Sequence, residues 1–267
     1  MQKYQKNSSG IEIFEFDICD STNTRAREYA AELLKMPKRE KMPDEMGKRA
    51  DEIGLRAVFV AERQTAGRGR RGRSFLSERG GIYASFLYFG DCGKLDIGGI
   101  TARAAVVAAR AVESVVNVKI DIKWVNDLYI NSKKVAGILT EGEFDEEGNL
   151  RYFVVGMGIN VYKIEDFEHI MPIATTLEDE ANKAPDKGKI LGELIGAMEE
   201  GILSDDSSLL SEYKSRCNIA GRSVTVHRGG EIYPATVLEI ADDYSLKIVT
   251  ENGEVRNLNS GEVSIRL

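Results

Sequence analysis

Residues 55–88 read LRAVFVAERQTAGRGRRGRSFLSERGGIYASFLY, and the way this stretch divides decides the architecture. LRAVFVAE, 55–62, has the apolar and β-branched content of a buried strand, and GGIYASFLY, 80–88, alternates as another. Between them stands GRGRRGR, 67–73. Its glycines let the backbone turn tightly and expose N–H groups, while its arginines offer forked donors suited to carboxylate and phosphate oxygens. By itself the run reads first as a ligand loop, and then as an RNA-binding patch of the Arg/Gly type or a plain solvated loop. Its place between two strands of a chain with formal net charge −7 favours a local anion site.

Outward from this stretch the chain alternates strands and helices. IEIFEFD, 11–17, reads as a half-buried strand ending in the turn Asp20–Asn23, and a helix is expected over 24–36. Residues 36–53, charge-rich with two prolines, read as a solvent-facing excursion. The Ala/Val-rich segment 97–116 predicts a buried helix. IDIKW, VAGILTEGEF and RYFVVGMGI supply three more strands between 120 and 159, and the Asn-Ser pair in DLYINSKKV marks a hairpin. A long connection then leads to about Gly188, followed by helices near 189–203 and 206–217, the second capped by Asp206 or Ser207. From Gly221 onward short strands separated by Gly, Asp and Asn predict a small closed barrel. The fold class is therefore α+β, with a larger unit over 1–218 and a smaller one over 219–267.

A hydrophobic content of 42% against 30% charged residues is that of a globular chain, and the acidic balance argues against a surface that clings to DNA or lipid as a whole. Cys19, Cys92 and Cys217 are too scattered for a disulfide framework or a CxxC metal pair, and no segment approaches a membrane span. A reducing, cytoplasmic setting is expected, with no membrane partner. His169 and His227 have no serine, cysteine or carboxylate cluster beside them and read as surface or structural residues. There is no GxxxxGK[ST] run, so nucleotide would be bound without a P-loop. A metal site made entirely of protein ligands is not expected.

A second constellation, IKWVNDLYINSKKVAGILTE at 122–141, sets Lys123, Asn126, Asp127, Lys133 and Lys134 beside strands, with Gly137 where the chain turns apolar. Each has a plain structural reading: Asp127 and Asn126 as turn residues, the lysines as the wet tip of a hairpin. GMGIN, 156–160, places two glycines where a ligand could approach backbone.

Together with DSTN at 20–23, AERQTAGRGRRGRSF at 61–75, KWVNDLYINSKKVAGILTE at 123–141, VVGMGINV at 154–161 and the run from GRSVTV to GEVSIRL, these elements follow the order seen in biotin protein ligases, also called biotin–acetyl-CoA-carboxylase ligases. The chain resembles the form of that family without an N-terminal DNA-binding domain. The resemblance implies a mixed-sheet catalytic domain with an SH3-like β-barrel at its C-terminus. It also implies ATP-dependent formation of biotinyl-5′-AMP with Mg²⁺, and transfer of biotin to a lysine of a biotin carboxyl carrier protein. Ser21, Thr22 and Gln64, with backbone near Gly67 and Gly137, would hold the biotin ureido ring. Arg68, Arg70 and Arg73, with Gly69, would form the loop closing over biotin and phosphates, with Arg68 and Arg70 joining Lys134 as catalytic groups. Lys134 would contact the reacting carboxylate and phosphate. Asn126 and Asp127 would lie on the nucleotide and magnesium side, Asp127 as the metal ligand. Asn160 would belong to the ATP site, and Asn23, Lys123 and Gly158 would also contact ligand.

Phe75 stands where the family usually has tryptophan near adenine, and Val125 where it has proline. The strand at 11–17 begins so early that no helix-turn-helix is expected before it, so DNA binding and repression are not expected; a homodimer is left open. Lipoate or octanoate ligation, which shares the family's fold and adenylation logic, is the alternative within enzymology, and RNA binding through 68–73 the one outside it.

Overall fold

The computed structural model describes residues 2–36, 53–93, 95–164, 173–181, 184–228, 230–259 and 262–265. An eight-stranded sheet is built from β1 (Gln2–Lys6), β2 (Glu12–Cys19), β3 (Gly54–Gln64), β4 (Gly81–Phe89), β5 (Asp121–Lys123), β6 (Asp127–Ile130), β7 (Lys133–Phe144) and β8 (Leu150–Asn160). Their order is β1-β2-β3-β4-β8-β7-β6-β5. Only β2 and β3 are parallel, joined through α1 (Thr22–Lys35) and the segment after it; every other pair is antiparallel. The sheet is thus mixed, as expected.

Period-two alternation along β3 sorts its side chains between two apolar layers. Ala57 and Phe59 meet Ala26, Ala30 and Leu33 of α1, with Leu87, Tyr152 and Val154 closing that cluster. Val58 and Val60 face the larger core made with α2 (Ile97–Val115), α4 (Lys187–Gly201) and α5 (Ser208–Cys217). Helices therefore cover both faces, which is why β4 reads as a continuous apolar run. Asp96 starts α2 by accepting from Gly99 N at 2.6 Å. The alanines of α2 let it lie close to its neighbours: Ala102, Ala104, Ala105, Ala108 and Ala109 are fully buried. A larger side chain there would cost about 1–3 kcal/mol in overpacking.

Differences from expectation are local. β1 pairs on the edge of the sheet through backbone bonds to β2, and its polar sequence lacks apolar alternation. The connection before Gly188 contains one short helix, α3 (Leu177–Glu180), begun by Thr176. Ser207 occupies the N-cap position of α5 without a side-chain bond, and Asp206 instead accepts from Ser208 N at 2.9 Å. The excursion at 36–53 falls almost wholly outside the described residues, as does His169.

The C-terminal strands β9 (Ser223–Arg228), β10 (Glu231–Ile240), β11 (Leu246–Thr250), β12 (Val255–Leu258) and β13 (Glu262–Ile265) correct the expected barrel. They form an open sheet in the order β12-β11-β10-β9-β13, with β12 and β13 as unjoined edges among the described residues. The physical reason is where the apolar face goes. Val224, Val226, Val237, Leu246, Ile248 and Leu258 pack into the same continuous core as α2 and the large sheet, so the small sheet does not need to enclose an interior of its own. Trp124 Nε1 donates to Tyr244 O at 3.0 Å, tying the β10–β11 turn to the end of β5.

Candidate active site

Four of the resemblance-bearing segments, around Ser21, Gln64–Phe75, Lys123–Leu139 and Gly156–Gly158, meet around one cavity of about 140 Å³. Each is delivered by an element end. Ser21 is the N-cap of α1, and Thr22 and Asn23 lie in its first turn, all three buried. Gln64 ends β3. Lys123 ends β5, Asp127 begins β6, and Lys134 follows the β6–β7 turn. That turn has Asn131 at φ 49° and Ser132 at φ 65°, the double positive-φ geometry of a two-residue hairpin. Gly137 and Gly158 are register partners on β7 and β8.

One end of the cavity is neutral and hydrogen-bonding. Gln64 Oε1 accepts from Thr22 N at 2.8 Å and Thr22 Oγ1 at 3.1 Å, while Gln64 Nε2 donates to Ser77 Oγ at 2.9 Å. Ser85, fully buried on β4, donates to Asn23 Oδ1 at 2.6 Å, and its oxygen lies 2.7 Å from Thr22 Oγ1. The opposite end is charged. Lys134 Nζ stands 2.7 Å from Asp127 Oδ1, and Arg70 donates to Asn126 Oδ1 at 3.0 Å. Asn126 Nδ2 in turn donates to Ile138 O at 2.8 Å.

The Gly/Arg stretch is folded over this cavity. Gly69 N donates to Arg73 O at 2.7 Å and Phe75 N to Gly67 O at 2.9 Å, with a single 3₁₀ turn at Arg70–Gly72 between. Arg71 has φ 58° and Gly72 φ 72°, a left-handed pair that explains the glycine. Arg68 pairs with Glu141 at 2.8 Å, and both terminal nitrogens of Arg71 reach His227 O at 3.2 Å, so the loop also touches the small sheet. A side chain at Gly67 would collide with Ser77 Oγ and come within 2.5 Å of Phe75 O. The Phe75 ring lies against Gly137 and Gly158, with Lys134 Nζ 6.0 Å from its centroid.

The cavity brings together Ser21, Thr22, Asn23, Gln64, Arg68, Gly69, Arg70, Arg73, Phe75, Lys123, Asn126, Asp127, Lys134, Gly137 and Gly158. Gly67 holds the base of the loop from outside the lining. Asn160 is likewise outside it, its amide donating to Thr175 O at 3.1 Å. Residues not anticipated from sequence are Ser77, Ser85 and Glu141, whereas Gly156 is one of the two glycines of the GMGIN run. A serine inside the apolar run of β4 and a glutamate closing the β7 run were the available signals.

Asp127 Oδ1 is buried and lacks a well-aligned hydrogen bond, so its one close partner is the Lys134 ammonium. That fits a Mg²⁺ ion held by a single carboxylate plus substrate phosphates and water, the usual mode for this cation. Among the described residues no cluster of three or more acidic, histidine or cysteine side chains could hold a metal unaided. Burial pushes the Cys19 thiol up to about 11 and those of Cys92 and Cys217 up to about 12, so none offers a thiolate at neutral pH.

An α+β fold thus carries a cavity that is neutral and hydrogen-bonding at one end and charged at the other. The model of the Biotin/lipoate A/B protein ligase family matches residues 47–160. The bifunctional ligase/repressor BirA of Salmonella typhimurium is 30% identical over 225 residues, covering 81% of this chain and 69% of its own. BirA of Bacillus spizizenii is 35% identical over 146 residues, 54% of this chain and 45% of its own, so this chain spans under half the length of that relative. The solved structure of the biotin protein ligase from Aquifex aeolicus in complex with biotin and ATP has a TM-score of 0.73 and 26% identity, covering 95% of this chain and 98% of that one. The chain belongs to the biotin/lipoate A/B protein ligase family.

Proposed function

We propose that this protein is an ATP-dependent biotin–protein ligase, and that the observation carrying the reading is the convergence of Arg68, Arg70, Arg73 and Lys134 on a cavity whose far end is the Ser21–Thr22–Gln64 set. The ligase/repressors and the Aquifex ligase crystallised with biotin and ATP support it. Biotin's urea head is neutral and wants hydroxyl and amide partners in an otherwise apolar pocket, which Ser21, Thr22 and Gln64 supply. Its carboxylate would then lie toward the cations.

In the first step a carboxylate oxygen of biotin forms a bond to the α-phosphorus of ATP. The α–β anhydride breaks and pyrophosphate leaves, producing biotinyl-5′-AMP. Negative charge grows on the α-phosphoryl oxygens, and Lys134 with the loop arginines would stabilise it. Asp127 would hold Mg²⁺ against the phosphates, where the ion supplies charge neutralisation. In the second step a neutral lysine amine of a biotin carboxyl carrier domain attacks the acyl carbon; the bond from that carbon to the bridging oxygen breaks, AMP leaves with that oxygen and the bonding pair, and the nitrogen gives up a proton to solvent to leave an amide. The Phe75 ring would flank the nucleotide base. The chain divides at 218/219, with the smaller sheet meeting the acceptor and touching the loop through Arg71. No helix among the described residues is long and apolar enough to cross a membrane, and a cytoplasmic setting suits ATP and a carrier-protein substrate.

The test is pyrophosphate release by the purified chain with ATP, Mg²⁺ and either biotin or lipoate, followed by mass measurement of the acyl-adenylate. Biotin-dependent release is expected; lipoate-dependent release alone would move the chain to the other branch of the family. Retention of RNA that weakens steeply with salt and ignores biotin and ATP would instead support the Arg/Gly patch as a nucleic-acid element.

A further inference from the structure

Glu141 is an acidic side chain on β7 directed at a site that gathers cations for an anionic ligand, and it is not part of the cavity lining. Its Oε2 accepts from Arg68 at 2.8 Å and from Asn23 Nδ2 at 2.8 Å, and its Oε1 is 3.8 Å from Arg27. Asn23 is buried, and its other amide atom, Oδ1, accepts from the hydroxyl of the fully buried Ser85, whose oxygen also lies 2.7 Å from Thr22 Oγ1. The chain of contacts runs Thr22–Ser85–Asn23–Glu141–Arg68. It joins the neutral end of the cavity to the cationic loop.

Two further observations show that this chain is built in. The first is Gly156: a Cβ there would collide with Asn23 Oδ1, so the amide fills the space a side chain would need. The second concerns Arg68 itself. Its terminal nitrogen is committed to Glu141, yet its Nε is buried with no hydrogen-bond partner while the side chain lines the cavity. A buried guanidinium N–H without an acceptor is costly, and an anion in the cavity would satisfy it.

We propose that Glu141 is a positioning residue for adenylation. It grips one nitrogen of Arg68 from behind, fixes the plane of the guanidinium, and leaves the remaining donors facing the reacting carboxylate and phosphoryl oxygens. Asn23, oriented by Ser85, sets the carboxylate in turn, so occupancy of the neutral end and alignment of the arginine are mechanically linked. Arginine suits this use because its planar fork presents its donors in fixed directions, whereas the donors of a lysine ammonium rotate about one nitrogen. The proposal rests on the ligase reading for its catalytic half and on the ion pair alone for its structural half.

The experiment compares the full chain with Glu141→Gln, Arg68→Gln and the double variant. Single-turnover formation of biotinyl-adenylate is expected to slow about tenfold or more in Glu141→Gln, with the dissociation constant for biotin alone changing less than threefold and melting temperature nearly unchanged. In the Arg68→Gln background the same substitution should slow the step less than twofold, because Glu141 acts through that arginine. Equal slowing in both backgrounds, or a lowered melting temperature with an unchanged rate, overturns the proposal. A second readout needs no catalysis: the Nε–H resonance of Arg68, assigned by its loss in Arg68→Gln, should be resolved in the wild-type chain and exchange-averaged in Glu141→Gln. An unchanged resonance also overturns the proposal. A wild-type chain that forms no acyl-adenylate while the resonance behaves as expected would count against the ligase reading and leave the clamp standing.

Discussion

Gly158→Ala puts one methyl where the structure has the face of Phe75. A Cβ at 158 would stand 2.5 Å from Cε1 and 2.7 Å from Cζ of the ring, against the 3.5–4.0 Å or so of a normal carbon contact. The ring must retreat by about 1 Å. It cannot do so by moving its backbone freely, since Phe75 N is bonded to Gly67 O at 2.9 Å and Phe75 O accepts from Ser77 Oγ at 2.9 Å. The side chain therefore turns, and the room available is the cavity it already lines. Gly158 sits inside β8 with an ordinary strand backbone, so alanine is locally favourable by about 0.5–1 kcal/mol. Overpacking opposes this by about 1–3 kcal/mol.

Stability is consequently expected to change little, while ligand binding bears the displaced ring. If the 1–3 kcal/mol falls on the ligand beside Phe75, the loss is about 5- to 150-fold. The measurements are KM for ATP in a pyrophosphate-release assay and the dissociation constant for biotin by calorimetry without nucleotide. KM for ATP should rise within that range, with biotin affinity affected less, because Thr22 and Gln64 make none of these contacts. In a Phe75→Ala background the methyl has nothing to strike, and the two changes should couple by at least about 1 kcal/mol. An unchanged KM for ATP, or an equal loss in the Phe75→Ala background, would refute the placement of the ring as a wall of the nucleotide pocket.

Lys134→Ala should slow adenylate formation by roughly 100-fold, about 3 kcal/mol for losing one charge-stabilising contact, with far-UV circular dichroism unchanged; a wild-type rate would remove the lysine from the chemistry. Asp127→Asn should raise the Mg²⁺ concentration needed for half-maximal rate while sparing biotin affinity, and a collapse of biotin affinity with unaltered Mg²⁺ dependence would make Asp127 structural. The Asp206 carboxylate is held down to about 2 by the Ser208 hydroxyl and N–H and then by Arg110. A depressed carboxyl contributes stability above its unfolded value near 4 and loses it as pH falls through about 2. The melting-temperature advantage of wild type over Asp206→Asn should therefore hold at pH 5–7 and fade between about 4 and 2, and a difference constant down to pH 2 would refute that origin.

How much of this was legible in sequence follows from the range of the interactions. Strands β2, β3, β4, β7 and β8 announce themselves because a buried strand is written in consecutive residues, and the β6–β7 hairpin because Asn131 and Ser132 are turn residues by local chemistry. β1 is not legible because edge pairing asks only for backbone, and the sequence of Gln2–Lys6 carries no apolar alternation. The barrel was misread for a related reason. Alternation in β9–β12 reports that one face is covered, and it says nothing about whether the cover is the sheet's own far side or, as here, the core beneath α2.

The site divides in the same way. Arg68, Asp127 and Lys134 lie in dense motifs whose residue types already state their chemistry. Ser85 and Glu141 acquire theirs only from register: Ser85 pairs with Gly156 across β4 and β8, and Leu139 pairs with Gly156 across β8 and β7. These two pairings bring a serine, a glycine and a strand carrying glutamate to the first turn of α1, whose Asn23 is 62 residues from Ser85 and 118 from Glu141. Nothing at any one of those positions marks it as functional, since a serine in a strand and a glutamate at a strand's end are ordinary. Their meaning lies in the antiparallel pairing of β4, β8 and β7, which turns an ordinary serine and an ordinary glutamate into the support of an arginine that lines the cavity with a buried N–H still to give.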